Sequence, residues 1–207
     1  MALSVNVKIC GLTNRPDAEA AVAAGADLLG FIFAPASPRC LTVAAVAEIA
    51  RYLPAPVVKV GVFVNPPEEL VRQAIRECGL GWVQFHGEEP PEFCTRFGAR
   101  SLKAFRVRDA RFLRALPEYP TDAWLLDTYA EKQSGGTGQT FNWDLAVAAK
   151  QFGKPIFLAG GLTPANVAEA VRQVRPHAVD VSSGVEISPV QKDQAKVAAF
   201  IRAAKNA

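Results

Sequence analysis

The sequence predicts an α/β protein, a (β/α)8 barrel of parallel strands built as one domain over residues 1–207, and three observations carry the prediction. Short apolar runs alternate with helical patterns eight times without a break in composition, which favours a closed barrel over an open doubly wound sheet. The last two units end their strands in small residues, Gly160-Gly161 and Ser182-Ser183-Gly184, just where barrels of this kind build a phosphate site. Third, 207 residues fit one domain, although the TIM barrel typically takes about 250, so the loops are expected to be lean.

The elements follow in order. Val5–Cys10 reads as the first strand, and Asn14, Pro16 and Asp17 open an Ala-rich helix that stops at Gly25. Asp27–Phe33 is the second strand; the Pro-punctuated loop 34–41 then leads to Thr42, which caps a helix over 43–52. Val57–Val64 is the third, with Asn65 and Pro66 starting a helix that runs to Cys78 and ends at Gly79. Trp82–Phe85 is the fourth, followed by a helix after Pro90 and Pro91. Ser101–Val107 is the fifth, with Asp109 capping a short helix to Leu116. Ala123–Asp127 is the sixth; a polar segment, 128–140, precedes Asn142, which caps a helix ending at Gly153. Ile156–Leu158 is the seventh, with Thr163 as N-cap and Pro164 in the first helical position. The eighth runs from Ala178 to Ser182, and Ser188 with Pro189 is expected to cap the last helix.

Composition narrows the function. Half of the residues are hydrophobic, enough for a sizeable core. A balance of 23 basic against 20 acidic residues gives a net charge of +3, compatible with an anionic small molecule, while no block of Lys and Arg interleaved with aromatics points to nucleic acid. The apolar region 18–36 is broken by Gly25, Asp27 and Pro35, so no membrane span is expected, and Lys8 within the first strand argues against a signal peptide. Cys10, Cys40, Cys78 and Cys94 lack metal-ligand spacing, and the only histidines are His86 and His177. A reduced, metal-free cytoplasmic protein is the expectation.

In such a barrel chemistry sits at the C-terminal ends of the strands. Gly160 and Gly161, with the amides opening the next helix, can cup a phosphate, as can Ser182, Ser183 and Gly184; the plainer reading is that the glycines only make tight turns. Strands one and six flank these two, so Cys10 and Asp127 stand on either side of the cup. Lys8 lies one layer below Cys10, where its ammonium would favour the thiolate; alternatively Cys10 is a small buried hydrophobe. Asp127 follows Trp124-Leu125-Leu126 and is expected to be partly desolvated, which would raise its pKa into the range of an acid; an N-cap or a loop salt bridge is the alternative. Asp180 faces inward, to position a ligand hydroxyl or to pair with Lys8. Arg39 can fork onto a substrate carboxylate or stay solvated, and His86 can donate to the ligand or satisfy a loop carbonyl. The run Gly135-Gly136-Thr137-Gly138 reads as a flexible loop whose length and place suit a lid.

Taken together, KICGLT (8–13), GFIFAPASPR (30–39), VGVFVN (60–65), VQFHG (83–87), LLDT (125–128), GGTG (135–138), AGGLTPANV (159–167) and DVSSGVE (180–186) closely resemble the phosphoribosylanthranilate isomerases of tryptophan biosynthesis, nearly end to end. Phe85, where Leu is commoner, is a conservative departure. The resemblance implies an Amadori rearrangement of a sugar phosphate, with Asp127 as general acid, Cys10 as general base, Arg39 on the anthranilate carboxylate and the amides of Gly161 and Ser183 on the phosphate. Such a reaction moves only protons and implies no cofactor; the partner expected is a small-molecule sugar phosphate, with no nucleic acid or membrane, and the chain is expected to be a monomer or homodimer. Competing readings are a sister barrel, such as indoleglycerol phosphate synthase or the histidine-pathway isomerase, which would be expected to use a lysine-led set or paired aspartates, and a non-catalytic phosphate-binding barrel.

Overall fold

A computed structural model describes residues 5–128 and 142–207. Its strands β1 (Asn6–Cys10), β2 (Leu28–Ile32), β3 (Val58–Phe63), β4 (Trp82–Phe85), β5 (Arg100–Val107), β6 (Ala123–Thr128), β7 (Ile156–Leu158) and β8 (Ala178–Val181) run parallel in sequence order, and β8 pairs with β1 to close the barrel. Outside lie α1 (Arg15–Ala23), α2 (Val43–Ala50), α3 (Glu68–Cys78), the single turn α4 (Pro91–Cys94), α5 (Asp144–Ala149), α6 (Val167–Val174) and α7 (Gln194–Lys205).

Alternation along the strands divides the apolar residues into two cores. Val7, Ile9, Phe31, Phe63, Phe85 and Trp124 face outward and pack beneath the helices. Leu28, Val60, Trp82, Leu102, Leu125 and Phe157 face inward and fill the barrel, with the Trp82 and Phe157 rings 5.6 Å apart. Each such side chain contributes about 1.5–3 kcal/mol through burial. The same alternation places Lys8, Gln84 and Asp180 inside, all buried, as a polar layer below Cys10, His86, Asp127 and Ser182.

Several helix boundaries differ from expectation, each because a tertiary contact overrides the local signal. Thr163 is not an N-cap; its N–H is bonded to the Asn166 side chain, and α6 begins only after Asn166. Ser188 does not cap the last helix. It ends β9 (Glu186–Ser188), which pairs antiparallel with β10 (Gln191–Lys192), and Asp193 caps α7 by accepting from the Ala195 and Lys196 N–H groups. Pro67, not Asn65, precedes α3, because Asn65 takes φ 46° to lend its side-chain oxygen to the Glu88 N–H. The segment after Asp109 forms two 3-10 turns, Ala110–Arg114 and Leu116–Glu118, in place of one helix.

Candidate active site

The site begins with room for a sulfur. Gly30 of β2 lies beside Cys10 of β1, and a methyl group built on it would come within 2.7 Å of the Cys10 Sγ and 3.1 Å of its Cα. Gly30→Ala is therefore expected to push the sulfur aside and lower kcat by about 10²-fold, the cost of roughly 1 Å of misplacement. Unaltered steady-state kinetics would mean that the position of this sulfur does not matter.

Beneath it the Lys8 ammonium donates to Asp180 Oδ1 at 2.9 Å, both groups buried. Burial alone would push the Lys8 pKa down, but Asp180 and Cys10 outweigh it and hold it above its ordinary value. Asp180 is thus engaged as the counter-ion of Lys8. The Cys10 thiol is pushed up, first by burial and then by the Asp180 charge; Lys8 and Lys192 oppose this without reversing it. Lys8 does favour the thiolate, as expected, but burial outweighs it and the thiol form prevails.

Across the mouth, Asp127 Oδ1 accepts the Thr128 N–H at 2.8 Å. Burial, then the Asp180 charge, lifts its carboxyl to about 6, against the smaller downward pull of Thr128, Arg106 and Lys8. A carboxyl at that value can both hold and release a proton near neutrality. Gly160 of the cup, at φ +81°, packs against it: a methyl group there would lie 2.2 Å from Thr128 Oγ1 and 2.9 Å from Asp127 Oδ1. The backbone of Gly160 is thus packed too closely beside Asp127 and Thr128 to admit a side chain.

His86 continues from β4, with its Nε2 3.5 Å from Asp127 Oδ2 and its Nδ1 3.4 Å from the Gln84 amide nitrogen. Burial and the charges of Arg106, Lys8 and Lys103 push it down to about 4, so its ring is neutral at pH 7. Its loop is braced from below. Glu89 accepts the N–H groups of Asn65 and Gly87, and the buried Lys103 donates to Glu89 at 2.8 Å and to the Gly87 carbonyl at 2.7 Å.

The cup itself is two loops in contact. Gly160 and Gly161 both have positive φ, and their N–H groups bond to no described residue. Asn166 donates to the Gly161 carbonyl and accepts the Thr163 N–H, holding the first loop open. In the second, Ser183–Val185 makes one 3-10 turn, and Gly184 sits so tightly on the Leu162 carbonyl that any side chain would overlap it. Arg39 is not solvated: its Nε and Nη2 form a fork on Glu186, at 2.7 and 2.5 Å. Burial pushes the Glu186 carboxyl up, but Arg39 and Lys192 outweigh it and hold it below its ordinary value. Lys192 donates to Glu186 and to the Ser182 carbonyl, tying the hairpin β9–β10 to the cup.

The expected site residues 8, 10, 39, 86, 127, 160, 161, 180 and 182–184 therefore gather at one end of the barrel. The lid expected at Gly135, Gly136, Thr137 and Gly138 lies outside the described residues. Sequence reasoning missed Gln84, Glu89, Lys103, Glu186 and Lys192. Only Gln84 left a signal, its place between inward Trp82 and His86 on alternating β4; the ion pairs, 14 positions apart for Lys103–Glu89 and 6 for Lys192–Glu186, follow from the course of a loop and a hairpin. Among the described residues no group of three or more His, Cys, Asp and Glu could hold a metal ion, and no helix is long and apolar enough to cross a membrane.

Residues 7–203 match the family model described as N-(5'-phosphoribosyl)anthranilate isomerase. The chain belongs to that family. A protein of this name from Geobacter sulfurreducens is 54% identical over 201 residues, which cover 97% of this chain and 98% of the relative. The crystal structure of the phosphoribosylanthranilate isomerase from Thermotoga maritima superposes with a TM-score of 0.91 at 42% identity, covering 98% of this chain and 100% of the other. A further crystal structure of the family, in complex with reduced 1-(o-carboxyphenylamino)-1-deoxyribulose 5-phosphate, gives a TM-score of 0.87 at 40% identity, with 98% and 100% of the two chains covered.

Proposed function

We propose that this chain converts N-(5'-phosphoribosyl)anthranilate into 1-(2-carboxyphenylamino)-1-deoxyribulose 5-phosphate by an Amadori rearrangement in tryptophan biosynthesis, in the cytoplasm, as a monomer or homodimer. The observation that carries the residue assignment is the Asp127 carboxyl, lifted to about 6 and set so close beside Gly160 of a cup suited to phosphate that no side chain fits between them. The phosphate sits on the amides of Gly161 and Ser183, with Gly160, Ser182 and Gly184 shaping the cup.

Asp127 gives its proton to the ribose ring oxygen. The C1–O bond breaks, and the aniline nitrogen lone pair forms the C1=N bond of a protonated Schiff base. Cys10, as thiolate, removes the C2 proton, and the released electron pair neutralises the nitrogen as an enolamine. Loss of the C2 hydroxyl proton and protonation of C1 yield the ketone. Only protons move between protein and substrate, and a thiolate that burial makes scarce is for the same reason a stronger base.

Arg39 binds the anthranilate carboxylate. Glu186 occupies its Nε–Nη2 edge and holds the plane fixed, while Nη1 has no partner among the described residues. Arg39→Ala is expected to raise KM about 10- to 100-fold, the equivalent of a charge-assisted hydrogen bond, with a smaller change in kcat. A KM equal to that of the parent would remove Arg39 from the binding site. The reaction itself is tested by following loss of anthranilate-conjugate fluorescence when purified protein meets freshly made phosphoribosylanthranilate; turnover supports the proposal, and its absence overturns it.

A further inference from the structure

We propose that Gln84 is a positioning residue for the acid step: its side-chain amide fixes the tautomer of His86, so that the ring proton sits on Nε2 and faces Asp127. The inference rests on the assignment of Asp127 as proton donor.

Gln84 is buried and lies on the same inward face of β4 as Trp82 and His86. Its amide nitrogen is 3.4 Å from His86 Nδ1, and its Oε1 is buried without a hydrogen-bond partner among the described residues. An amide nitrogen only donates, so Nδ1 must accept and the proton of a neutral ring belongs on Nε2. The other end of the ring agrees. Nε2 stands 3.5 Å from Asp127 Oδ2, and a ring N–H is favoured there over a lone pair facing a carboxylate. Turning the amide round would place an N–H pair, in place of a carbonyl oxygen, in the position that has no partner, the less tolerable of the two.

This orientation has a chemical consequence. With Nε2 already protonated, His86 cannot take the Asp127 proton, so that proton is kept for the ribose oxygen. Once it has left, the Nε2–H supports the carboxylate that remains. A proton on Nδ1 would do the reverse, setting a ring lone pair against the carboxylate and withdrawing the support it needs once its proton has left.

Histidine-selective ¹⁵N labelling and long-range ¹H–¹⁵N correlation read the tautomer directly. The chain has two histidines, so His177→Gln assigns the spectrum. The expected wild-type result is a pyrrole-type Nε2 and a pyridine-type Nδ1 on His86; the opposite pattern overturns the proposal whether or not the enzyme turns over. Gln84→Glu, whose carboxylate can only accept, is expected to move the proton to Nδ1. Gln84→Met, which fills the space without donating, is expected to leave both tautomers populated and lower kcat about five- to tenfold with KM within about twofold, one hydrogen bond's worth of rate. Parental kcat in a folded Gln84→Met variant with mixed tautomers would also refute the role. Should wild-type protein fail to turn over phosphoribosylanthranilate while the tautomer stands as expected, the functional reading fails and the ring assignment survives.

Discussion

Asp127→Asn is expected to lower kcat by about 10²–10⁴-fold and, at pH 7.5, to leave the fold more stable than its parent. The first effect follows from losing the proton donor. The second follows from the native carboxyl titrating near 6 in place of its ordinary 3.8. Between those values the native state binds more protons than the unfolded chain, so stability falls as pH rises. Above about 6 the whole cost is present, and below the unfolded value none of it is. A shift of this size is worth at most about 3 kcal/mol, and partial exposure reduces that to about 1–2 kcal/mol, or roughly 2–8 °C in melting temperature. Asn keeps an oxygen for the Thr128 N–H, so the comparison isolates the charge. Thermal melts at pH 7.5 and pH 4 read the difference, which should shrink to a small fraction at the lower pH; a gap that persists there undiminished would show that it does not come from ionisation.

Cys10→Ala is expected to reduce kcat by a similar factor, about 10²–10⁴-fold, with the fold intact. It also supplies the blank for the ionisation of the thiol. Burial raises Cys10 above the ordinary 9.0 of a thiol, so the thiolate absorbance in a parent-minus-variant difference spectrum should reach half its full height only above pH 9. The resting pair is then thiol and carboxylate, whereas the reaction needs thiolate and carboxylic acid. The two forms hold the same number of protons, so interconversion is an internal exchange with no net charge change. Thiolate absorbance at pH 7 in the empty enzyme would contradict this account.

What could be read from the chain, and what could not, follows from the range of the forces involved. The bounds of β4 and β7 were legible residue by residue, because short apolar runs are closed by Gly81 and His86-Gly87 on one side and by Pro155 and Ala159-Gly160 on the other. Cys10 and Asp127 stood out as reactive groups where strands end. The starts of α6 and α7 were misread because Thr163 and Ser188 carry good capping side chains but are held by Asn166 and by the β9–β10 hairpin. The partner of Arg39 was not legible because it enters 147 positions later, and the net state of the thiol turns on burial by the whole barrel, which no local pattern reports. Local pattern says which groups face inward; it cannot say how they divide their charges.

The separation of 172 positions between Lys8 and Asp180 also bears on how the molecule is made. Lys8 belongs to the first strand of the barrel to be made, and its anion to the eighth, which completes the ring. Until the eighth strand emerges, seating β1 in a finished interior would strand an ammonium without its partner, at a penalty of about 3–5 kcal/mol. Ring closure is therefore a late event of biogenesis, and a nascent chain halted before Asp180 should keep its opening segment open to proteases and chaperones.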